Sequence, residues 1–158
     1  MRRKAMLNLA LTTGRRWNEY NRLLLSQLTV IGSELSPYGV ALQIEFPCTK
    51  PNAGADRPPF IYYAFPDQRD KTTDAFLAVC ELLLVLNADI MAYIAAHPGS
   101  EVNLFGPDGA GGVCNFSSEL SHDASIDAIR KMLEAAGLES TGRVRRGAAR
   151  VGAGGAWG

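Results

Sequence analysis

The chain has few side chains of the kinds that bind metals or act as catalytic bases, and they lie far apart. Its two histidines are His97, which precedes a proline, and His122. A zinc site would have to join both to Cys114 or Asp123, with none of the short ligand spacings that such sites use. Cys114 as nucleophile with His122 as base is also poorly supported, because a cysteine in a strand usually packs in the core. The sequence therefore predicts a protein that is not an enzyme, with no catalytic residues, no metal site and no cofactor.

The stretch from Gly106 to Gly112 is glycine-rich and resembles a phosphate-binding loop in composition. Phosphate loops lead from a strand directly into a helix, so that backbone N–H groups and the helix dipole converge on the anion. Here a second strand is predicted to follow, and no Lys–Ser or Lys–Thr pair closes the motif. A hairpin turn is the better interpretation.

The charges are unevenly distributed, although the net charge is zero. Residues 1–16 hold five basic and no acidic side chains, residues 17–137 hold 7 basic and 15 acidic, and residues 138–158 hold four arginines and one glutamate. Basic ends favour an alternative function, a nucleic-acid-associated or virion structural or assembly protein that binds phosphates. The candidate contacts are Arg2, Arg3, Lys4, Arg15, Arg16, Arg143, Arg145, Arg146 and Arg150.

The cysteines and the N-terminus indicate a cytoplasmic protein. Three cysteines without paired spacing, Cys48, Cys80 and Cys114, argue against a disulfide framework and for a reducing compartment. The apolar run from Ala5 to Leu11 follows basic residues, but Asn8 interrupts it and no cleavage site follows. We therefore predict no signal peptide, and Cys80 is expected to lie in the core.

The longest apolar run extends from Thr72 to His97 and predicts one long helix at the centre of the domain. Between Ala75 and Ala96 only Glu81, Asn87 and Asp89 are strongly polar. Such a helix is expected to be covered on most sides, with Thr72 or Thr73 as its cap. Its length of roughly 33 Å matches a bilayer core. However, each acid near the middle of a span costs about 2.5–3.5 kcal/mol, so we predict a buried helix and no membrane contact.

Asn87 lies on the most apolar stripe of this helix and has two interpretations. Either a neighbouring loop hydrogen-bonds its amide within the core, or the helix breaks there and a second helix begins at Ala88 or Asp89.

The other elements follow from hydrophobic periodicity. In chain order they are an amphipathic helix from Arg15 to Leu35, strands over Val40–Phe46 and Phe60–Phe65, a strand pair over Glu101–Phe105 and Gly112–Ser117, and a last helix from Ser121 or Asp123 to Gly137. Residues 5–12 fit a short strand or a helical arm. The predicted fold class is α+β, a two-layer sandwich with an antiparallel sheet, a long central helix and two flanking amphipathic helices. The predicted units are a basic N-terminal arm (1–14), the α+β domain (15–138) and a flexible tail rich in Gly, Ala and Arg (139–158).

The run Leu82–Asn87, Leu-Leu-Leu-Val-Leu-Asn, resembles the leucine-rich run that ends in Asn in the middle helix of class I type III secretion chaperones. The similarity extends over about Tyr20 to Gly137. It implies a small dimeric α/β protein that holds an extended, non-globular segment of another protein against apolar surfaces.

The leading hypothesis is thus a non-enzymatic, chaperone-like protein-binding module that forms a homodimer and masks an extended segment of a partner protein. The expected partner contacts lie on the two strands that precede the long helix. They are Val40, Leu42, Ile44, Phe46, Tyr62 and Phe65.

Overall fold

The computed structural model describes residues 2–46, 58–67, 69 and 73–137. In chain order its elements are α1 (Arg2–Thr13), α2 (Trp17–Asn21), a 3-10 turn (Leu25–Gln27), β1 (Leu28–Gly32), β2 (Val40–Phe46), β3 (Phe60–Ala64), α3 (Ala75–Ala96), a 3-10 turn (Ala110–Gly112) and α4 (His122–Ala135). The α+β fold class is confirmed. The predictions for Cys48, Thr72, most of the loop from Pro47 to Pro59 and the tail from residue 139 lie outside the described residues.

The described strands form one antiparallel sheet in the order β1-β2-β3. Leu42, Ile44 and Phe46 alternate along β2 with Gln43 and Glu45, and all three are buried in the core. Their register partners on β3 are Ala64, Tyr62 and Phe60, in the same order. One face of the sheet therefore packs on the core, as the alternation in β2 predicts.

β1 lies where the sequence predicts a helix, so the prediction of one helix from Arg15 to Leu35 is wrong. Only α2, five residues long, is helical in that stretch. The spacing of apolar residues by three and four fits a helix, but Thr29-Val30-Ile31 is a β-branched run that fits a strand better. The strand pairs with β2 across a turn closed by Gly39, whose φ is +71°.

α1 belongs to the domain and is not an arm. Its residues Ala5, Met6 and Leu9 are buried in the same core as the sheet and α3. Lys4 Nζ lies 3.0 Å from Glu81 Oε2, whereas Thr12 borders the same hollow as Ala75. The two helices therefore run antiparallel, and the predicted domain boundary at residue 14 is wrong.

α3 is one continuous helix, so it does not break at Asn87. Its cap is Asp74, whose buried carboxylate accepts hydrogen bonds from the backbone N–H groups of Leu77 and Asp67, each at 2.9 Å. A carboxylate at this position satisfies free N–H groups and complements the positive end of the helix dipole.

α3 is buried on one side only, which corrects the prediction that it is covered on most sides. Val79, Leu82, Leu86 and Ile90 pack in the core. On the opposite side Leu84 is 79% exposed and Met91 is 59% exposed. Asn87 is also exposed, so its amide is not buried in the core. Cys80 is half-buried.

The segment after α3 forms a tight loop and no regular strand. Its pairing is limited to isolated bridges, Leu24 with Asn103 and Asp108 with Cys114. The chain reverses as predicted for Gly106–Gly112, with Gly109 N donating to Val113 O at 2.7 Å. Leu104, Phe105 and Phe116 from this loop are buried in the core.

α4 agrees with its prediction. Ser121 caps it by accepting a hydrogen bond from Ala124 N at 3.2 Å, and Gly137 follows its end with a φ of +73°. The helix is joined to α2 by a buried hydrogen bond from Asn21 Nδ2 to Ser125 Oγ, 3.1 Å long.

Gly106 is fixed by packing. A Cβ atom at this position would lie 1.9 Å from the Asn115 carbonyl oxygen. We expect Gly106→Ala to lower the free energy of unfolding by about 2–4 kcal/mol in urea denaturation, because the backbone must move. Gly32→Ala is the matched control, since nothing lies within 4 Å of its Cβ; it should change stability by less than about 0.5 kcal/mol. Equal stability of the two variants would contradict this packing.

Tyr20 is fully buried, with its ring edge-on to Phe46 at 5.6 Å and its hydroxyl accepting from Arg15 N at 2.9 Å. Burial raises the pKa of Tyr20 from 10.0 to about 12. Ionisation of Tyr20 therefore leaves the free energy of unfolding unchanged below pH 10. Between pH 10 and pH 12 it should lower this free energy by about 1.4 kcal/mol per pH unit, because the tyrosine ionises at a lower pH in the unfolded state than in the folded state. Urea denaturation between pH 8 and pH 11 measures this slope. Tyr20→Phe should flatten it, whereas Tyr38→Phe, at an exposed side chain, should leave it as in the wild type.

Candidate protein-binding surfaces

The β3 edge, defined as residues Phe60–Phe65, is an exposed apolar strand margin. Among the described residues β3 pairs only with β2, so no described strand covers its other side. Phe60, Ile61, Tyr63 and Phe65 are each between 39% and 43% exposed. Natural edge strands usually carry a charge or a proline that prevents pairing with another chain. This one carries neither between Phe60 and Phe65.

The predicted partner contacts fall into two groups. Leu42, Ile44 and Phe46 are at most 1% exposed, so they build the core and are not accessible to a partner, which corrects their assignment. Val40 and Tyr62 are half-buried, and Phe65 is exposed on the β3 edge.

Sequence reasoning missed Ile61 and Tyr63 as surface residues. The sequence contains a signal for this second surface. Phe60–Phe65 is apolar or aromatic on both faces, whereas the apolar residues of β2 alternate with polar ones. In register, Ile61 lies opposite Glu45 and Tyr63 opposite Gln43, on the sheet face away from the core.

An open hollow of about 670 Å³ adjoins the C-terminal end of the β3 edge. Its wall is formed by Tyr63 and Phe65 on one side and by Leu35 and Pro37 from the β1–β2 turn on another. At the other end of the edge the Arg15 guanidinium lies 4.5 Å from the centre of the Phe60 ring. The accessible edge thus extends from the Arg15 side chain beside Phe60 to the open hollow beside Phe65.

The outer face of α3, defined as Leu84, Val85, Ala88, Met91 and Ala95, is a second exposed apolar surface. These positions recur at three- and four-residue steps, so they form one stripe along the helix. α3 is long and apolar enough to cross a membrane, with a mean hydropathy of 2.0 over its most apolar window, of which 33% is buried. Core helices of water-soluble domains pass the same test, so this finding by itself is weak evidence for a membrane span.

Three of the five basic residues before Trp17 contact acids of the protein itself. The pairs are Arg2 with Asp108, Lys4 with Glu81 at 3.0 Å, and Arg15 with Glu19 at 2.7 Å. Arg3 and Arg16 are exposed. The predicted nucleic-acid contacts Arg143, Arg145, Arg146 and Arg150 lie outside the described residues. The basic residues that the structure describes therefore do not form a cluster of unpaired charges comparable to the nine residues that were predicted to bind nucleic acid.

A cleft of about 230 Å³ lies between α1, α4 and the loop that contains Gly106. Its charged residues are Arg2, Arg3, Asp108, Asp127 and Lys131. A hydrogen bond from Lys131, 3.1 Å long, lowers the pKa of Asp127. Arg2 is likewise paired with Asp108, so neighbouring side chains of opposite sign neutralise most of the charges in the cleft.

The residues considered for catalysis or metal binding are separated in the fold. His97 is exposed, stacks on Tyr93 at 4.5 Å and faces the Tyr93 carbonyl. His122 is exposed at the first residue of α4. Cys114 is buried, and its thiol donates to the Gly106 carbonyl at 3.7 Å. Within the described part of the chain, no three His, Cys, Asp or Glu side chains converge on a point where a metal would bind.

Burial raises the pKa of the Cys114 thiol, which lowers its reactive thiolate fraction at neutral pH. We therefore expect native Cys114 to react with iodoacetamide at pH 7.5 at least about tenfold more slowly than in urea. Peptide mass spectrometry follows each cysteine separately, and half-buried Cys80 should react at an intermediate rate. Labelling of Cys114 as fast in the native protein as in urea would contradict a packing role and revive the nucleophile hypothesis.

Comparison with known proteins assigns no family to this chain. No family model matches the sequence, and no match was found among the curated proteins or the solved structures. The resemblance to class I type III secretion chaperones stays a prediction. A function for the chain must therefore be argued from its own two apolar surfaces.

Proposed function

We propose that this chain is a non-enzymatic protein-binding module that covers an extended segment of a partner protein by strand addition at the β3 edge. The observation that carries the proposal is an exposed edge strand, Phe60–Phe65, with apolar or aromatic side chains throughout and no charge or proline.

Strand addition uses the backbone of the edge for affinity and its side chains for selection. A segment laid along β3 would hydrogen-bond to backbone groups that β2 does not use. Its alternate side chains would meet Phe60 and Tyr62 on the core-facing side, and Ile61 and Tyr63 on the outer side. The edge therefore favours a partner segment that is apolar on both faces or alternates apolar with small polar residues.

The boundaries of the edge limit the length of the segment. Arg15 over Phe60 closes one end, and the hollow beside Phe65 opens at the other. At about 3.3 Å per residue, the edge accommodates a stretch of roughly six residues, about 20 Å. The hollow, lined by Leu35, Pro37 and Phe65, would take one bulky apolar side chain just beyond it.

The charge pattern is compatible with a polypeptide partner. The edge itself is uncharged, and Glu45 lies in the neighbouring strand opposite Ile61. An acidic residue near the outer side of the bound segment disfavours acidic partners and nucleic acid. The basic residues that would offset it are mostly engaged, because Arg2, Lys4 and Arg15 contact the protein's own carboxylates.

The experiment has two stages. Copurification followed by mass spectrometry should show a stoichiometric protein partner. In parallel, ten-residue peptides selected from a random display library on the purified protein should be extended and apolar-rich. Fluorescence polarisation with the selected peptides then measures affinity for variants of the edge.

We expect the double variant Ile61→Lys, Tyr63→Lys to bind the selected peptides at least about tenfold more weakly, because two charges on the edge oppose pairing with another strand. Both side chains are more than 40% exposed, so the variant should keep its circular dichroism spectrum and melting temperature. Leu84→Lys, a matched change at an exposed apolar residue of α3, should bind the peptides as the wild type does.

Two results would contradict strand addition at this edge. One is peptides that bind the edge variant and the wild type equally well. The other is selection of helical peptides whose binding is lost in Leu84→Lys, which would transfer the binding site to α3.

A further inference from the structure

We propose that the outer face of α3 pairs with the same face of a second copy of this chain, antiparallel, across a two-fold axis near Ala88. This interface uses residues different from those of the β3 edge, so it does not rest on the proposed function.

The surface is apolar over its whole length. Leu84, Val85 and Met91 are each more than half exposed, and Ala88 and Ala95 are exposed between and beyond them. From Leu84 to Ala95 the stripe extends over about three turns, roughly 16 Å. The opposite face of the helix is already in the core, so a partner helix can only pack on this side.

The charges beside the stripe favour a neutral partner. α3 carries two charged residues, Glu81 and Asp89, and no basic residue. Glu81 is paired with Lys4 of the same chain at 3.0 Å, so it adds no net charge to the surface. Asp89 lies roughly 110° around the helix from the middle of the stripe and about 40° from Val85 at its margin, at 100° per residue. A basic or acidic partner would therefore gain little binding free energy from charges on this surface, whereas an apolar helix face is complementary to it.

The antiparallel direction follows from the helix dipoles, which would lie side by side in the same direction in a parallel pair. With the two-fold axis at Ala88, the two Glu81 side chains are about 21 Å apart along the helices, and the helix dipoles oppose each other.

The sizes of the side chains complement each other around this axis. Val85 of one copy would lie opposite Met91 of the other, and the small side chain of Ala88 would sit at the crossing point. A small residue there allows the helix backbones to approach closely, so that the larger side chains interdigitate. An isologous contact of this kind closes on itself and gives a dimer.

The available area is sufficient for a specific contact. The exposed side chains of the outer face provide on the order of 500 Å² per copy, or about 1,000 Å² in a symmetric pair, which is the lower bound for a biological interface.

Sedimentation equilibrium between 1 and 100 µM tests the proposal. The wild type is expected to be a dimer over most of this range. Leu84→Glu and Met91→Glu should each weaken the dimer at least about thirtyfold, because each buries a charge at the contact. Leu35→Glu, at a residue 86% exposed on the β1–β2 turn, is the matched control and should remain a dimer.

Cross-linking tests the position of the two-fold axis. Ala88→Cys should form a disulfide-linked dimer on mild oxidation, beyond the baseline that wild-type protein gives with its own cysteines. Thr29→Cys, exposed on β1, should not. A monomeric wild type at 100 µM, or a dimer unaffected by both glutamate variants, would overturn the proposal. Binding of a monomeric wild type to phosphatidylcholine vesicles, lost in Leu84→Glu, would overturn it in favour of a lipid occupant.

Different variants test the two proposals, so each can be contradicted without the other. Leu84→Glu should lose dimerisation and keep peptide binding, and Ile61→Lys with Tyr63→Lys should do the reverse.

Discussion

The fold depends on burial of one face of α3 against α1 and the inner face of the sheet. Leu82 and Val79 of α3, Leu9 of α1 and Ile44 of β2 are essentially inaccessible to water and belong to one cluster. Burying an aliphatic side chain of this size stabilises a protein by about 1.5–3 kcal/mol, so a few such residues match the whole net stability of a typical domain. Removing α1 would expose this face of α3 to water.

The same arrangement leaves two apolar surfaces outside the core. In the described part of the chain, the three-stranded sheet and α1 cover one side of α3, and the far side of this 22-residue helix faces outward. β3, at the margin of the sheet, likewise has one free side among the described residues. Continuous exposed apolar surface on a protein usually marks a contact with another molecule. Both proposals follow from this excess of apolar surface over available cover.

The sequence predicts best where a local signal decides the structure. Ser121 and Gly137 are cap residues with specific hydrogen bonds and φ values, and α4 begins and ends beside them as predicted. β2 was predictable because its core-facing residues alternate with Gln43 and Glu45. β1 was not, because Leu28 and Ile31 also fit a helical spacing, and only their pairing with β2 selects the strand.

The extent to which α3 is covered could not be predicted from its own residues. Periodicity identifies which side of a helix is most apolar, but the number of neighbouring elements depends on the rest of the chain. The same limit affected the binding residues. Leu42 and Ile44 look equally suited to a core or a partner, and their burial is decided by tertiary packing. Ile61 and Tyr63 face outward because they lie on the opposite side of the pleat.

The ion pair between Lys4 and Glu81 joins residues 77 positions apart, and it has a consequence for biosynthesis. α1 leaves the ribosome before α3, and its packing surface does not exist until α3 has been translated. During that interval Met6 and Leu9 are exposed together with the newly made strands. Domains with such long-range contacts fold late and are prone to aggregate while nascent. Among the described elements, α1 is therefore a segment for which cotranslational protection by cellular folding factors matters.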